Sequence, residues 1–369
     1  HNWIRSTLPL PRPRHNRATA WNEGVGEGKS MPGAFFSHRA SNLLFVQSAA
    51  GTRQHVASGG SAIAQAEIPA SHVLSRATIG TPVGSTLDPG MDLSRVIAGL
   101  EGIPERSIGS CIYYDDVVTS TQTVLQHLMD RWQVPVGTVV LASQQTQGTG
   151  RSGNVWESPL GCLMFSFSYA IPLKSPDLLV PFQYVIALGV YRGIKRCFSE
   201  MSMPLTNEIQ LKWPNDIYMQ GKKVGGVVCR SAVDSVRQEF VVSTGIGLDV
   251  DVRSDIFASL VTLSPNLRSD HLFSCILWEL EVTMTTFRLN GWEAIRAEYE
   301  AAWMHSGAEV TVMNIDGKEM TVEIIGISGA GELLGRQKTA PFEEVTLHPD
   351  GNRFDLLKGL IVSKPPPTR

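Results

Sequence analysis

Between Cys111 and Phe287 short strand-like runs and longer helical stripes follow one another without a regular repeat. Cys111 to Tyr114 is an apolar run followed by Thr119, Ser120 and Thr121, residue types that cap a helix by accepting its first free N–H groups. Leu125, Leu128, Met129 and Trp132 then recur at spacings of three and four, one helical face, until Pro135 and Gly137 end it. Thr138 to Ala142 and Cys162 to Tyr169 read as strands on either side of a loop from Ser143 to Gly161, and a helix is expected within Phe182 to Phe198. Strands follow at Ile209 to Trp213, Ile217 to Met219, Val224 to Cys229 and Phe240 to Gly245, the second and third joined by a hairpin through Gln220, Gly221 and Lys222. Phe273, Ile276, Leu277, Leu280, Met284 and Phe287 form the apolar stripe of a long helix. Runs of strands between scattered helices predict an α+β body rather than a βαβ repeat.

From Gly307 onward the runs are short and alternating, Glu309 to Met313, Thr321 to Ile327 and Glu332 to Leu334, with Gly317, Gly329 and Gly331 between them. That pattern predicts a small all-β domain at the C-terminal end. At the other end, residues 1–92 hold no sustained period of either kind and are broken by Pro9, Pro11, Pro13, Pro69 and Pro82. They are expected to lie outside the core as a disordered extension. Met31 to Ala66 lacks Asp and Glu and carries Arg39 and Arg53 among Ser, Ala and Phe, the composition of an organelle transit peptide; an ordinary disordered tail fits the same residues. Plastid, mitochondrion and cytoplasm therefore all stay open. The expected bodies are 93–304 and 305–369.

Composition narrows the function classes. The 369 residues are 43% hydrophobic, enough to bury an enzyme-sized core, and the net charge is -3, which argues against a domain living on nucleic acid or anionic lipid. The five cysteines are widely spaced with no C-x-x-C pair, as in a reducing compartment without a disulfide framework or zinc site. The best apolar stretch, Leu178 to Tyr191, is too short to cross a bilayer.

Three segments carry candidate chemistry. In GTGRSGNVWESPLG, preceded by Gln145, the glycines Gly148, Gly150, Gly153 and Gly161 surround Arg151. The segment does not open into a helix and lacks the Gly-Lys-Ser/Thr of a P-loop, so it reads either as a surface turn or as a loop bringing N–H groups and one cation to an anionic ligand. Lys212, Trp213, Pro214, Asn215 and Asp216 end a strand, and Lys223, Val224, Gly225 and Gly226 follow the hairpin. An amide and a carboxylate at a strand end need partners if buried, which favours a functional edge. The third segment, Thr244, Gly245, Ile246, Gly247, Leu248 and Asp249, again places glycines where a backbone is approached closely.

With Ser120 and Thr121, these segments resemble the biotin protein ligase family from about Gly109 to Lys358, and LHPDGNRFDLLKG is similar to its eukaryotic, especially plant, members. The resemblance implies a catalytic α+β domain related to class II aminoacyl-tRNA synthetases and lipoyl ligases, then an SH3-like all-β C-terminal domain. It implies an enzyme that uses ATP and magnesium to make biotinyl-5'-AMP and transfers biotin to one lysine of biotin-dependent carboxylases, through their biotin carboxyl carrier domains. A monomer, without nucleic acid or membrane partners, is the expectation. Residue by residue, Ser120, Thr121, Gln122 and Gln145 match positions that hold the ureido ring and valeryl tail. Gly148, Thr149, Gly150 and Arg151 lie in the loop that closes over the adenylate, and Trp156 matches a tryptophan packed near adenine. Lys223 matches a lysine near the biotin carboxylate; Lys212 and Asn215 match residues beside the phosphates. Gly225, Gly226, Gly247 and Asp249 complete the expected contacts, and Arg151, Lys212, Lys223 and Asp216 are the catalytic candidates. Asp216 fits a functional role, as a magnesium ligand or a base for the acceptor lysine, and equally a structural one as a cap of its turn.

Two positions depart from the family pattern. Thr149 stands where many members carry Arg or Lys, which puts more weight on Arg151. Asp249 stands where many carry Asn, which predicts weaker nucleotide binding through like charge. A lipoate or octanoate ligase of the same fold is the nearest alternative, opposed by the tryptophan motif and the Gly148 to Gly161 loop. A biotin-sensing DNA-binding repressor would need a helix-turn-helix or basic stripe before Leu93, and an inactive binding module would not need the Arg151, Lys212 and Lys223 set.

Overall fold

The computed structural model describes residues 44–47, 73–74, 90–103, 106–253, 258–313, 319–329, 331–339, 342–347, 352–355 and 360–363. The first elements are the short strands β1 (Leu44–Gln47) and β2 (Val73–Leu74), followed by helix α1 (Leu93–Leu100). Then come β3 (Cys111–Val118), α2 (Thr121–Trp132), β4 (Val139–Gln145), β5 (Cys162–Pro172) and α3 (Leu179–Glu200). β6 (Ile209–Lys212), β7 (Asp216–Met219), β8 (Lys222–Asp234) and β9 (Glu239–Asp249) precede the helices α4 (Ser269–Asn290) and α5 (Glu293–Ala302). The nine strands form one sheet in the order β2-β1-β3-β4-β5-β9-β8-β7-β6. β1, β3 and β4 run parallel, and every pairing from β4 to β6 is antiparallel.

Alternation along the strands divides the sheet into two faces. Ile112, Tyr114, Val139 and Leu141 enter the main core, which α1, α3, α4 and α5 cover. Tyr113 and Val140, between them in sequence, point the other way and meet Leu125 and Leu128 of α2. The helical side is close-packed: Gly193 and Gly189 of α3 lie against Ile276 and Leu280 of α4 so closely that a β-carbon at either would stand within 3 Å of the neighbouring helix. Gly189 and Gly193 are thus a spacing of four that the sequence carries without advertising it. The opposite side is only partly covered by α2, and its bare part becomes the site.

The expected elements stand where the spacing puts them, most with longer bounds; the strand expected at Ile209 to Trp213 ends at Lys212, and β10 has the expected bounds. The hairpin between β7 and β8 turns on Gln220 and Gly221, both left-handed at φ 50° and 77°, the geometry that matches strand twist. α1 and α5 have no counterpart in the sequence reading. Residues 1–92 depart from the expectation of a segment wholly outside the fold: β1 pairs parallel with β3, β2 pairs with β1, Met91 is buried, and Asp92 caps α1 by accepting from the Ser94 N–H at 2.9 Å. Strands of four and two residues are too short for a period to register. Met31 and the rest of the transit-like segment, apart from β1, lie outside the described residues. Among the described residues no helix is long and apolar enough to cross a membrane.

A second sheet of six strands follows, β10 (Glu309–Met313), β11 (Glu319–Ile327), β12 (Leu333–Gln337), β13 (Glu344–Leu347), β14 (Asn352–Asp355) and β15 (Leu360–Ser363). Its order is β13-β12-β11-β10-β15-β14, antiparallel except where β10 meets β15. It packs on the first body: Val310, Val322, Ile324, Ile327 and Leu333 belong to the same buried core as α3, α4 and α5, and the Ile327 N–H donates to Glu300 Oε1 of α5 at 3.0 Å. The Gly331 carbonyl accepts from the Tyr184 hydroxyl at 2.5 Å and from Trp213 Nε1 at 3.3 Å, so the turn before β12 rests on the tryptophan of the KWPND segment.

Candidate active site

On the face of β9 opposite the main core, Gly245 and Gly247 leave two bare patches two residues apart, about 7 Å along the strand. Each is filled from another element. A β-carbon at Gly245 would come within 3.1 Å of the Gln122 side chain; one at Gly247 would come within 2.7 Å of the Trp156 ring. Glycine at these positions therefore lets a neutral amide and an aromatic ring lie directly on the sheet. Around them opens a cavity of about 610 Å³.

At the amide end the groups are neutral. Ser120 occupies the N-cap position of α2 but makes no side-chain capping bond; the Thr121 N–H is taken instead by Gln145 Oε1 at 2.8 Å. The other end of that amide, Nε2, donates to Ser158 Oγ at 3.0 Å. Gln122 Nε2 donates to the Val228 carbonyl at 3.1 Å, which fixes the amide the other way out: its buried Oε1 has no hydrogen-bond partner among the described residues. A buried acceptor without a partner costs roughly 1 to 3 kcal/mol, a cost that a ligand N–H can remove.

At the tryptophan end the groups are charged. Lys223 Nζ lies 5.3 Å from the Trp156 ring centroid and 2.6 Å from Asp216 Oδ1. Arg151 Nη1 donates to Asn215 Oδ1 at 3.2 Å, and Asn215 Nδ2 donates to the Val227 carbonyl at 2.5 Å, so the loop arginine is tied to the KWPND turn and through it to β8. The loop is closed on itself: the Gly150 N–H donates to the Asn154 carbonyl at 2.7 Å, the Trp156 N–H to the Gly148 carbonyl at 2.9 Å. Thr149 Oγ1 accepts from Arg230 Nη2 at 3.2 Å, so β8 brings a second cation beside the loop.

The structure gathers most of the expected set around one space. Ser120, Thr121, Gln122, Gln145, Thr149, Gly150, Arg151, Trp156, Asn215, Asp216, Lys223, Gly226 and Gly247 all line the cavity. Four residues stand elsewhere. Gly148 borders an adjoining cleft of about 550 Å³ that shares Gln145 and Trp156. Lys212 is outside the wall because its ammonium is engaged by Tyr218, 3.1 Å from the hydroxyl and 5.0 Å from the ring centroid. Gly225 faces the core: a β-carbon there would lie 2.4 Å from Leu248 Cδ2, so its glycine serves packing. Asp249 is buried at the end of β9, where its Oδ1 accepts from Cys162 Sγ at 3.2 Å. Burial pushes its carboxyl up to about 6, which leaves the group mostly ionised at neutrality, and it stands outside the lining of the cavity. Gly245 and Ile246 of the third segment also line the cavity, as do Asn154, Val155, Val227 and Val228, which were not singled out by sequence. The nearest available signal for Val227 and Val228 was their place directly after Gly226.

The family model for the biotin/lipoate A/B protein ligase family matches residues 114–251. The chain is 30% identical over 274 residues to biotin–protein ligase 2 of Arabidopsis thaliana, covering 72% of this chain and 80% of that one. It belongs to the biotin protein ligase family. Biotin–protein ligase 1, chloroplastic, of the same plant is 31% identical over 274 residues, 72% of each chain. Among solved structures, a mutant biotin protein ligase from Aquifex aeolicus in complex with biotin superposes with a TM-score of 0.50 at 25% identity, covering 64% of this chain and 94% of that one. The likeness to that biotin protein ligase fold extends over 64% of this chain.

Proposed function

We propose that this chain is an ATP-dependent biotin protein ligase that forms biotinyl-5'-AMP and passes the biotinyl group to a lysine of a biotin carboxyl carrier domain. The observation that carries this is the polarity of the cavity. One end offers neutral donors and acceptors, with Gln122 Oε1 awaiting an N–H, and the other offers Lys223 and Arg151 beside an aromatic ring. A ureido ring is neutral and supplies N–H donors. The carboxylate and the α-phosphate it attacks are anions that repel, and fixed cations at that end lower the cost of bringing them together.

Lys223 would hold the carboxylate against the phosphate, Arg151 and Asn215 would close over the adenylate, and Trp156 would present its ring to the adenine. Asp216 is the only carboxylate among the lining residues, and Lys223 occupies its Oδ1, so the donor set fits a magnesium ion that arrives on the nucleotide's phosphates and takes at most one protein ligand. When bound, that ion would neutralise phosphate charge. In this reading residues 93–304 form the catalytic body and 305–369 a small SH3-like domain. The chloroplastic relative supports a plastid as the working compartment.

One incubation tests the proposal: the protein with ATP and a biotin carboxyl carrier domain, supplied with either biotin or lipoate, with the carrier read by mass. Biotinylation of one lysine, dependent on ATP, is the expected result. Transfer of lipoate in preference to biotin, or no mass change with either, would overturn it.

A further inference from the structure

The end of α3 and the start of α4 bring together three side chains that take no part in the cavity, Cys197, His271 and Cys275. One ligand-type atom from each lies within 4.8 Å of the others. Both thiols are buried and the histidine is half-buried, so the cluster has a dry floor and one open side. Cys197 Sγ stands 3.6 Å from His271 Nδ1. Zinc bonds of about 2.3 Å to sulfur and about 2.05 Å to imidazole nitrogen, set at the tetrahedral angle, separate those atoms by about 3.6 Å. The other imidazole nitrogen, Nε2, is 2.8 Å from Glu200 Oε2, the carboxylate partner that fixes ring orientation and leaves the Nδ1 lone pair free to ligate. Glu200 is itself held through Oε1 by Arg196 Nε at 2.8 Å.

We infer that Cys197, His271 and Cys275 form a site for one divalent cation of the zinc class, bound by two thiolates and Nδ1 with the fourth position open to solvent, and that Glu200 is its positioning carboxylate. His271 and Cys275 are four apart on α4, hence on one helical face, and Cys197 meets them from α3. A thiol that coordinates a cation gives up its proton. Binding therefore releases two protons to solvent, one from each cysteine, with no change in oxidation state. The site would clamp the α3–α4 pair that carries the sheet, at a distance in sequence, 74 residues from Cys197 to His271, which hides it from any spacing pattern.

The test uses the full chain, reduced, stripped with a chelator and titrated with cobalt(II) alone. The expected result is a thiolate-to-cobalt charge-transfer band that saturates at one equivalent, is displaced by zinc, and accompanies release of two protons. Cys197→Ser, Cys275→Ser and His271→Ala should each lose it, while Cys229→Ser, at a half-buried thiol outside the cluster, should keep it. Glu200→Gln should keep the band but bind about 10- to 100-fold more weakly. Circular dichroism reports folding of each variant, and the half-exposed His271 keeps the test decisive if a cysteine variant fails to fold. A folded, reduced parent with no band would overturn the inference. So would a band that survives in folded His271→Ala, or a Cys197–Cys275 disulfide formed on air exposure in a protein that takes up no cobalt.

Discussion

Lys223 Nζ lies 2.6 Å from Asp216 Oδ1 although neither residue faces the other in the ladder, where Asp216 pairs with Gly226 and Lys223 with Tyr218. The register shift between Ile217 and Tyr218 and the missing side chain at Gly226 let the lysine reach diagonally: a β-carbon at Gly226 would stand 3.3 Å from the carboxylate and 3.4 Å from the ammonium. The pair holds the ammonium at the cavity wall, in position to serve a ligand anion.

Lys223→Ala should lose adenylate formation while the protein stays folded, because 39% of that side chain is exposed and its charge faces the cavity. A charged hydrogen bond in such a site is worth roughly 1.5 to 3 kcal/mol, so biotin-dependent pyrophosphate release should fall about 10- to 150-fold. Pyrophosphate at the parental rate would remove Lys223 from the chemistry.

Arg151 is expected to retain the adenylate rather than to form it, since its guanidinium is tied to Asn215 at the mouth of the cavity. Arg151→Gly should release free biotinyl-5'-AMP and label bystander lysines, with retention weakened about 10- to 150-fold. If the variant made no adenylate, Arg151 would be needed for activation; if it labelled only the natural lysine, something else would hold the lid.

Gly225→Ala and Gly247→Ala should fail in different ways. An added methyl at Gly247 presses on the Trp156 ring, so the KM for ATP should rise several-fold with little change in Tm. The same methyl at Gly225 meets Leu248 and the Gly247 carbonyl in the core and should cost about 1 to 3 kcal/mol of stability by overpacking. Thermal melts and ATP titrations on the two proteins would show the reverse pattern if the faces were exchanged.

Asp249 predicts a pH dependence. Its carboxyl is pushed up to about 6 by burial, against lowering by the Cys162 hydrogen bond and the Lys223 charge. An unfolded aspartate titrates near 3.9, so between about pH 4 and 6 the folded state holds a proton the unfolded state has lost, and stability falls as pH rises through that window, by about 3 kcal/mol in all. Asp249→Asn keeps an acceptor for Cys162 and removes the titration. It should be more stable than the parent by about 1 to 3 kcal/mol at pH 7.5 and converge on it near pH 4. Buried His305 titrates with the opposite sign: burial and Lys212 lower it to about 3, so its contribution is lost as pH falls below about 6.5. That term is common to both proteins and cancels in the comparison. Equal urea midpoints for the two proteins at pH 7.5 would mean that the buried carboxylate carries no penalty.

The order of strands and helices was legible because each element advertises its own period. Leu125, Leu128 and Trp132 repeat at helical spacing whatever they pack against, and Gln220 and Gly221 tolerate the left-handed turn that joins β7 to β8. The motifs likewise named most of the cavity wall, since glycines beside Arg151 and the Lys212 to Asp216 segment are chemistry written locally. What the chain could not disclose are relationships between elements. Gly225 and Gly226 are neighbours of one type, yet one faces Leu248 and the other the Lys223–Asp216 pair, a difference decided by strand alternation and the register of β8 against β7 and β9. Lys212 carries the same charge as Lys223, but β6 delivers it to Tyr218. Trp213 stands in the motif, yet its indole serves the Gly331 turn of the second sheet, while its backbone N–H donates to His305 at 2.8 Å. Cys197 and His271 meet only because Gly189 and Gly193 let α3 lie close on α4. Periodicity is a property of adjacent residues and survives in one dimension; which face a side chain takes, and what stands opposite it, exists only once the sheet has closed and the helices have packed.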